Sequence, residues 1–196
     1  MYDVIGIPVT RTFRVLWMLE ELGQPYNHTA VPPHDSKVTE LNATGKVPVL
    51  LDDGAAIIDS TAIMTYLADK HGALTYPPGT IERAHQDSIT HLVLDEIDAV
   101  LWTASRHSFI LPKEKRVGEI KPSLMWEYSR NINNVMQRMK GPYLMGDMMT
   151  IPDIILAHCG GWARAAKFPL DNENFKTYLQ HVRARPAFQK LADGLK

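Results

Sequence analysis

The stretch Leu74-Thr75-Tyr76-Pro77-Pro78-Gly79 constrains the fold most, because two prolines and a glycine stop regular structure on both sides. The texture of the chain changes across it. Before it the segments are short and mixed. Tyr2 to Ile7 reads as a strand, and Arg11 to Gly23 as a helix. In that helix Val15, Met18, Leu19 and Leu22 recur at helical spacing, and Gly23 stands where a C-terminal cap belongs. Tyr26 to Val31 reads as a second strand, bounded by Pro25 and by Pro32-Pro33. Val47 to Asp59 reads as a hairpin turning at Asp52-Asp53-Gly54. Ser60 to His71 reads as a short helix with Ser60 as its N-cap and Gly72 beyond its end. The order β-α-β, a short helix or loop, then β-β-α predicts an α/β layer with its own core.

After the break nothing reads as a strand. Thr80 to about His107 forms one helical pattern of roughly 40 Å at the usual rise per residue. Lys113 to Gly141 forms a second, in which Pro122 predicts a kink or break. Thr150 to Ala166 is more apolar and is expected at the centre. Asn172 to Ala184 and Pro186 to Leu195 supply two shorter helices. The expected organisation is an α/β domain over residues 1–75, a linker at about 74–79, and an all-α domain over 80–196.

Composition narrows the function. A net charge of -1 gives no electrostatic case for nucleic acid or an anionic membrane surface. No run approaches the roughly 20 apolar residues of a membrane span, and the first residues lack a secretory pattern. One cysteine, Cys159, excludes an intramolecular disulfide and suits a reducing compartment, so the expected location is cytoplasmic. The histidines show no metal spacing, and no metal is expected. Cys159, in an apolar helix, reads as a small buried hydrophobe. Thr150 with Asp153 three residues on reads as a helix cap with a folding role.

The most informative constellation runs from Gly45 to Thr61. Pro48 stands just before a strand that must pair, and a cis Val47-Pro48 bond would leave the Val47 N–H and C=O facing outward. Such a pair suits an extended peptide ligand that adds like a strand. Eleven residues on, Asp59-Ser60-Thr61 opens a helix whose first N–H groups and Ser60 hydroxyl suit a carboxylate. The Asp59 side chain suits a neighbouring ammonium. The ligand so described has a peptide-like middle and an amino-acid head group.

Gly45-Lys46-Val47-Pro48-Val49-Leu50 followed by Asp59-Ser60-Thr61-Ala62-Ile63 resembles the glutathione site of the cytosolic glutathione S-transferase family. Arg14 to Tyr26 resembles that family's first helix and Tyr143 to Ile154 its capping-box segment. Val182 to Leu191 resembles its C-terminal end. The resemblance covers nearly the whole chain in order. It implies a thioredoxin-like N-terminal domain, a helical C-terminal domain and a homodimer, with glutathione as co-substrate. Carried over by residue, it implies that Val47, with Pro48 cis, holds the cysteinyl backbone. Asp59, Ser60 and the Thr61 N–H would hold the γ-glutamyl end, and Lys46 would meet the glycyl carboxylate. The sequence departs from the family pattern in having Asn42-Ala43 for Asn-Pro and Asp59-Ser60 for Glu-Ser.

Glutathione brings its own nucleophile, so the protein must favour thiolate near neutral pH, where a free thiol of pKa ~8.5 is mostly protonated. A hydroxyl donor at the start of the first helix serves that purpose. Two registers of the family place the reactive residue at Val9 or at Thr10. Thr10-Arg11-Thr12-Phe13-Arg14 most resembles a subgroup reading Ser-Arg-Ala/Ser-x-Arg, which makes Thr10 the candidate and Arg11 a secondary donor. The competing reading is a threonine N-cap beside a surface arginine. A hydrophobic electrophile is expected against the first long helix, with Trp102, Arg106 and Phe109 as pocket residues. The resemblance also offers Asp95 or Asp98 as the acidic residue that reaches the partner subunit's glutathione in some relatives. The activity implied is transfer of the glutathione thiolate to an electrophile or reduction of a peroxide. The alternatives are a non-catalytic interaction or stress-regulatory protein, and a glutathione-dependent isomerase or dehalogenase.

Overall fold

A computed structural model describes residues 1–194. Strand β1 (Tyr2–Ile5) leads into helix α1 (Thr12–Glu21), then β2 (Tyr26–Thr29) and a single turn of helix, α2 (Ser36–Thr39). The hairpin β3 (Val49–Asp52) and β4 (Ala55–Ile58) follows, and α3 (Ser60–His71) completes the pattern. The hairpin closes through Asp53 and Gly54, both at positive φ, which is the two-residue turn that matches strand twist. The sheet order is β2-β1-β3-β4, with β1 parallel to β2 and the other pairings antiparallel. The parallel pair needs a crossover, and α1 supplies it.

Alternation divides the core. Ile5 and Val49 lie on one face with Val38 of α2, joined by half-buried Val31, Val47 and Leu51. Val4 and Leu50, fully buried, are their neighbours in sequence and point to the opposite face. Helices α1 and α3 pack on each other beside the sheet. Helix α1 is buried almost all round: Trp17, Met18 and Leu19 are inaccessible, and so is Arg14. The hydroxyl of Tyr66 (2.5 Å) and the ammonium of Lys70 both donate to Asp52, tying α3 to the end of β3.

The helical remainder opens at Thr80, whose hydroxyl caps the Arg83 N–H. The long pattern is helical from 81 to 110 but not uniformly α. Helix α4 (Ile81–Val93) passes through a π-helical turn (Leu94–Asp98) into α5 (Ala99–Ser105), and a second π-helical turn (Arg106–Ile110) follows. Two short 3-10 turns lead to α6 (Lys121–Arg138). Pro122 falls in the first turn of α6, where its missing N–H costs nothing, so it starts this helix and does not kink it. Helix α7 (Ile151–Ala165) is the buried centre, contacting α4, α5 and α8 (Glu173–Arg183). Its N-terminus is a capping box. Buried Asp153 accepts from the Thr150 N–H (2.8 Å) and hydroxyl, the Leu144 N–H (2.9 Å) and the Tyr178 hydroxyl (2.9 Å).

The last helix, α9 (Pro186–Asp193), belongs by its contacts to the sheet-containing unit, which comprises residues 1–78 together with 184 onward. Its Phe188 ring meets Phe13 and Trp17 edge-on, and Arg185 grips Glu21 with two charge-assisted bonds of 2.7 and 2.6 Å. A break at 74–79 therefore does not part the chain into two contiguous pieces. Residues 79–183 form the second unit. The expected end of the last helix pattern, Leu195, lies outside the described residues.

Candidate functional site

The register of the hairpin assembles the site. Val49 pairs with Ile58 and Ile5 with Val49, so the chain before β3, the chain after β4 and the chain after β1 all leave the sheet at one end. Val47-Pro48, Asp59-Ser60 and the turn from Gly6 to Thr12 are thereby gathered from distant parts of the sequence. A side chain at Gly6 would place its Cβ 2.3 Å from Thr12 Oγ1 and 2.7 Å from Val47 Cβ. The glycine is what lets these segments close.

The loop ahead of β3 is held from both sides. Asn42, buried, donates from Nδ2 to the Lys46 carbonyl (2.8 Å), and its Oδ1 accepts from the Thr44 hydroxyl (2.8 Å) and N–H (3.2 Å). The Gly45 N–H donates to the Asn42 carbonyl, and the His34 N–H donates to the Gly45 carbonyl, each at 2.8 Å. Gly45 has φ +67, and a Cβ there would stand 2.1 Å from the His34 ring. From this loop the chain enters the Val47-Pro48 peptide, which is cis as the sequence leads one to expect. Val47 stands two residues before β3, and among the described residues its N–H and C=O make no backbone hydrogen bond. Lys46 is exposed beside it.

At the start of α3 the structure corrects the cap. Asp59, at φ +72, is the N-cap, and its Oδ1 accepts the Thr61 N–H (2.9 Å) and the Ala62 N–H (3.0 Å). Ser60 is instead the first helical residue. Three good capping residues stand in a row in Asp-Ser-Thr, and the carboxylate, the strongest acceptor, takes the position. The Thr61 N–H is therefore engaged within the protein. Ser60 is 3% exposed, and neither its N–H nor its hydroxyl has a hydrogen-bond partner among the described residues.

In the turn before α1, Arg11 is the N-cap and makes no side-chain cap bond. Thr10, half-buried, donates its hydroxyl proton to the Ile7 carbonyl (2.8 Å) and accepts the Thr12 N–H (3.2 Å). Its Oγ1 also lies 3.0 Å from the Thr12 hydroxyl, which is fully buried. Val9, the other register, is 79% exposed and carries no polar side chain. The site as built therefore brings together Thr10, Arg11, Lys46, Val47, Pro48, Asp59, Ser60 and Thr61. Thr12, the second hydroxyl that the sequence offers beside Thr10, is fully buried against it, and Asn42 and Gly6 are additions to the expected site residues. Only the asparagine just before the glycine loop carried a signal, and it was read as a departure from pattern.

In the helical unit Trp102 and Arg106 are half-buried and Phe109 is 64% exposed. Arg106 Nη2 donates to the Thr103 hydroxyl (3.0 Å). A cleft of about 200 Å³ opens in the same unit between α6 and the loop before α8, lined by Ile132, Asn133, Leu170 and Phe175 among others. Neither Trp102, Arg106 nor Phe109 lines it. Asp98, one of two acidic residues considered for reaching a neighbouring glutathione, faces the bundle interior and lies 3.8 Å from the Cys159 sulfur. Asp95 is exposed. Among the described residues no helix is long and apolar enough to cross a membrane, and no group of three or more metal-ligating side chains occurs.

Comparison with known proteins agrees with this geometry. The sequence profile of the glutathione S-transferase N-terminal domain matches residues 8–77. Glutathione S-transferase 3 of Schizosaccharomyces pombe is 39% identical over 67 residues, which is 32% of this chain but only 28% of that protein. Glutathione S-transferase GstA of Escherichia coli O157:H7 is 28% identical over 165 residues, 80% of this chain and 78% of that one. The crystal structure of a glutathione transferase from Methylococcus capsulatus superposes over 100% of both chains with a TM-score of 0.84 at 27% identity. The sheet order, the cis Val47-Pro48 turn and these matches make residues 8–77 a glutathione S-transferase N-terminal domain, in a chain whose sequence and fold are similar to glutathione transferases over most of its length.

Proposed function

We propose that this protein is a glutathione transferase that binds glutathione along residues 45–61 and directs its thiolate at an electrophile. The observation that carries the reading is the pairing, at one end of the sheet, of an unengaged Val47 backbone with a buried Ser60 whose N–H and hydroxyl lack partners. The cysteinyl backbone of glutathione would add to Val47 as a strand adds to an edge. Its α-carboxylate would take the Ser60 N–H and hydroxyl at the positive end of α3, and Asp59 Oδ2 would take the ammonium. Lys46 is available for the glycyl carboxylate. The thiol proton is lost to solvent, and donors in the Thr10–Thr12 turn stabilise the sulfur anion. A threonine hydroxyl is too weak an acid to take that proton itself as alkoxide. In conjugation the sulfur forms a bond to an electrophilic carbon and the leaving group departs with the bonding pair. The protein supplies orientation and electrostatic stabilisation. Trp102, Arg106 and Phe109 are our candidates for contact with a hydrophobic electrophile, and the active form is proposed to be a homodimer.

Retention on immobilised glutathione and titration calorimetry test the binding. Ser60→Ala is expected to weaken glutathione binding about tenfold or more, because a charge-assisted bond of about 1.5–3 kcal/mol is removed. Binding unchanged in that variant would overturn the site. A panel of halonitroaromatic, peroxide and maleyl-type substrates then reads the reaction class.

A further inference from the structure

We infer that Arg106 selects an electrophile that carries a carboxylate, resting on the reading that the second substrate lies against Trp102, Arg106 and Phe109. A guanidinium is charged throughout the physiological pH range and carries five N–H donors in a rigid fork. Among the described residues Arg106 has one hydrogen-bond partner, the Thr103 hydroxyl, which accepts from Nη2 at 3.0 Å. Its Nε is buried and has no acceptor. No described carboxylate forms an ion pair with it. The sequence explains why. No Asp or Glu stands between Asp98 and Glu114, and Asp98 lies against the Cys159 sulfur in the bundle interior. A half-buried cation without a counter-charge has lost hydration and gained little in exchange.

A role in closing the helix does not account for it. An arginine near a helix C-terminus commonly bonds the last carbonyls. Here Arg116 does so: Nε donates to the Leu111 carbonyl (2.7 Å) and Nη2 to the Phe109 carbonyl (2.9 Å). The Arg106 carbonyl accepts the Leu111 N–H (3.0 Å), and the Val117 N–H donates to His107 Nδ1 (3.1 Å). The end of the helix is thus closed without the Arg106 side chain. The bond to Thr103, one turn back, holds the guanidinium along the face that also carries Trp102. Phe109 and Ile110, 64% and 50% exposed, share the π-helical turn of Arg106. Such turns occur often at functional sites. A fixed, forked cation beside aromatic and aliphatic surface fits an apolar molecule with one planar anionic group. A single guanidinium balances the single charge of a carboxylate. A phosphate dianion would need a second cation, and Arg116 is already committed to carbonyls.

Initial rates of the full-length protein with glutathione and either 4-chloro-3-nitrobenzoate or 4-chloro-3-nitrobenzamide read the preference. The two substrates differ in charge and hardly in size, and each rate is divided by its uncatalysed rate at the same pH. The parent is expected to favour the carboxylate at least tenfold in kcat/KM, the effect of one charge-assisted bond. Arg106→Met is expected to bring that ratio within about twofold of one, whatever it does to the rates themselves. Arg106→Lys, which keeps the charge and loses the fork, is expected to retain part of the preference. Arg106→Met is also expected to melt no lower than the parent, because it strands no charged partner. If Arg106→Met does not fold, the fall in the ratio for Arg106→Lys makes the same comparison. A parent ratio near one, or a ratio preserved in both variants, overturns the role of Arg106, and turnover of the amide then leaves the proposed function standing. Turnover of neither substrate by the parent overturns the proposed conjugation and this selectivity together.

Discussion

Asp59 divides its carboxylate between two tasks. Oδ1 caps α3 through the Thr61 and Ala62 N–H groups, while Oδ2 makes no hydrogen bond among the described residues and is open to a ligand. The residue holds φ +72, a conformation that a side chain makes unfavourable by about 1–3 kcal/mol and that persists where the surroundings demand it. Substitution separates the tasks. Asp59→Ala is expected to lose the cap, about 1 kcal/mol of stability, together with affinity for glutathione. Asp59→Asn keeps an acceptor at the cap and removes only the charge. It is expected to unfold at nearly the parent's urea midpoint yet bind glutathione several-fold more weakly, the two read by denaturation and calorimetry on one preparation. Equal midpoints for all three proteins would contradict the capping role.

At the scale of elements, two side chains fasten helices to their neighbours and respond differently to challenge. Asp153 closes the start of α7 by taking four donors in the interior. Burial pushes its carboxyl up while those donors oppose the shift. Asp153→Ala leaves buried N–H and O–H groups unpaired and is expected to cost about 3–5 kcal/mol, seen as a lower urea midpoint. Asp52 fastens β3 to α3. Hydrogen bonds from Lys70 and then Tyr66 hold its carboxyl below the usual range. A depressed carboxylate contributes stability that is present above its unfolded pKa of about 3.9 and is lost as pH falls through the folded value. Asp52→Asn is therefore expected to show a shallower loss of stability below about pH 4 than the parent, measured by denaturation at a series of pH values.

What the sequence makes legible follows from where the partners lie. The hairpin, the cis turn and the capping box are written in residues a few positions apart, and their chemistry is local. The shift of the cap from Ser60 to Asp59 is one residue in a run of three equivalent candidates, and propensity alone does not rank them. Pro122 is equally good as a helix start or a helix break until the upstream chain is seen to lack α-helical structure. Gly6 is not legible as a site residue because its significance comes from Thr12 and from Val47, forty-one residues further along the chain, which a side chain at Gly6 would strike. Helix α9 shows an amphipathic period, and a period says that a face is buried without saying against what.

For the molecule as a whole, that last helix matters most. It closes the exposed side of α1 with Phe188 against Phe13 and Trp17, and Arg185 neutralises Glu21, whose side chain is 6% exposed. The Trp17 indole N–H donates to the same carboxylate at 2.9 Å. Arg185→Ala strands that charge beside apolar rings and is expected to cost about 2 kcal/mol, with the loss read by thermal melting. A Phe188→Ala variant is expected to cost a comparable amount through lost packing. An unchanged melting temperature in both would mean that α9 is not integral to the sheet-containing unit.

The return of α9 to α1 also sets an order of events during synthesis. Some 160 residues are translated between Glu21 and Arg185, including the whole helical unit, before the partner for the α1 surface exists. A nascent chain paused anywhere in that interval has α1 without Phe188 against Phe13 and Trp17, and Glu21 without the Arg185 cation. The helical unit is one continuous stretch, residues 79–183, and has no such wait. The segment made first is thus the one completed last.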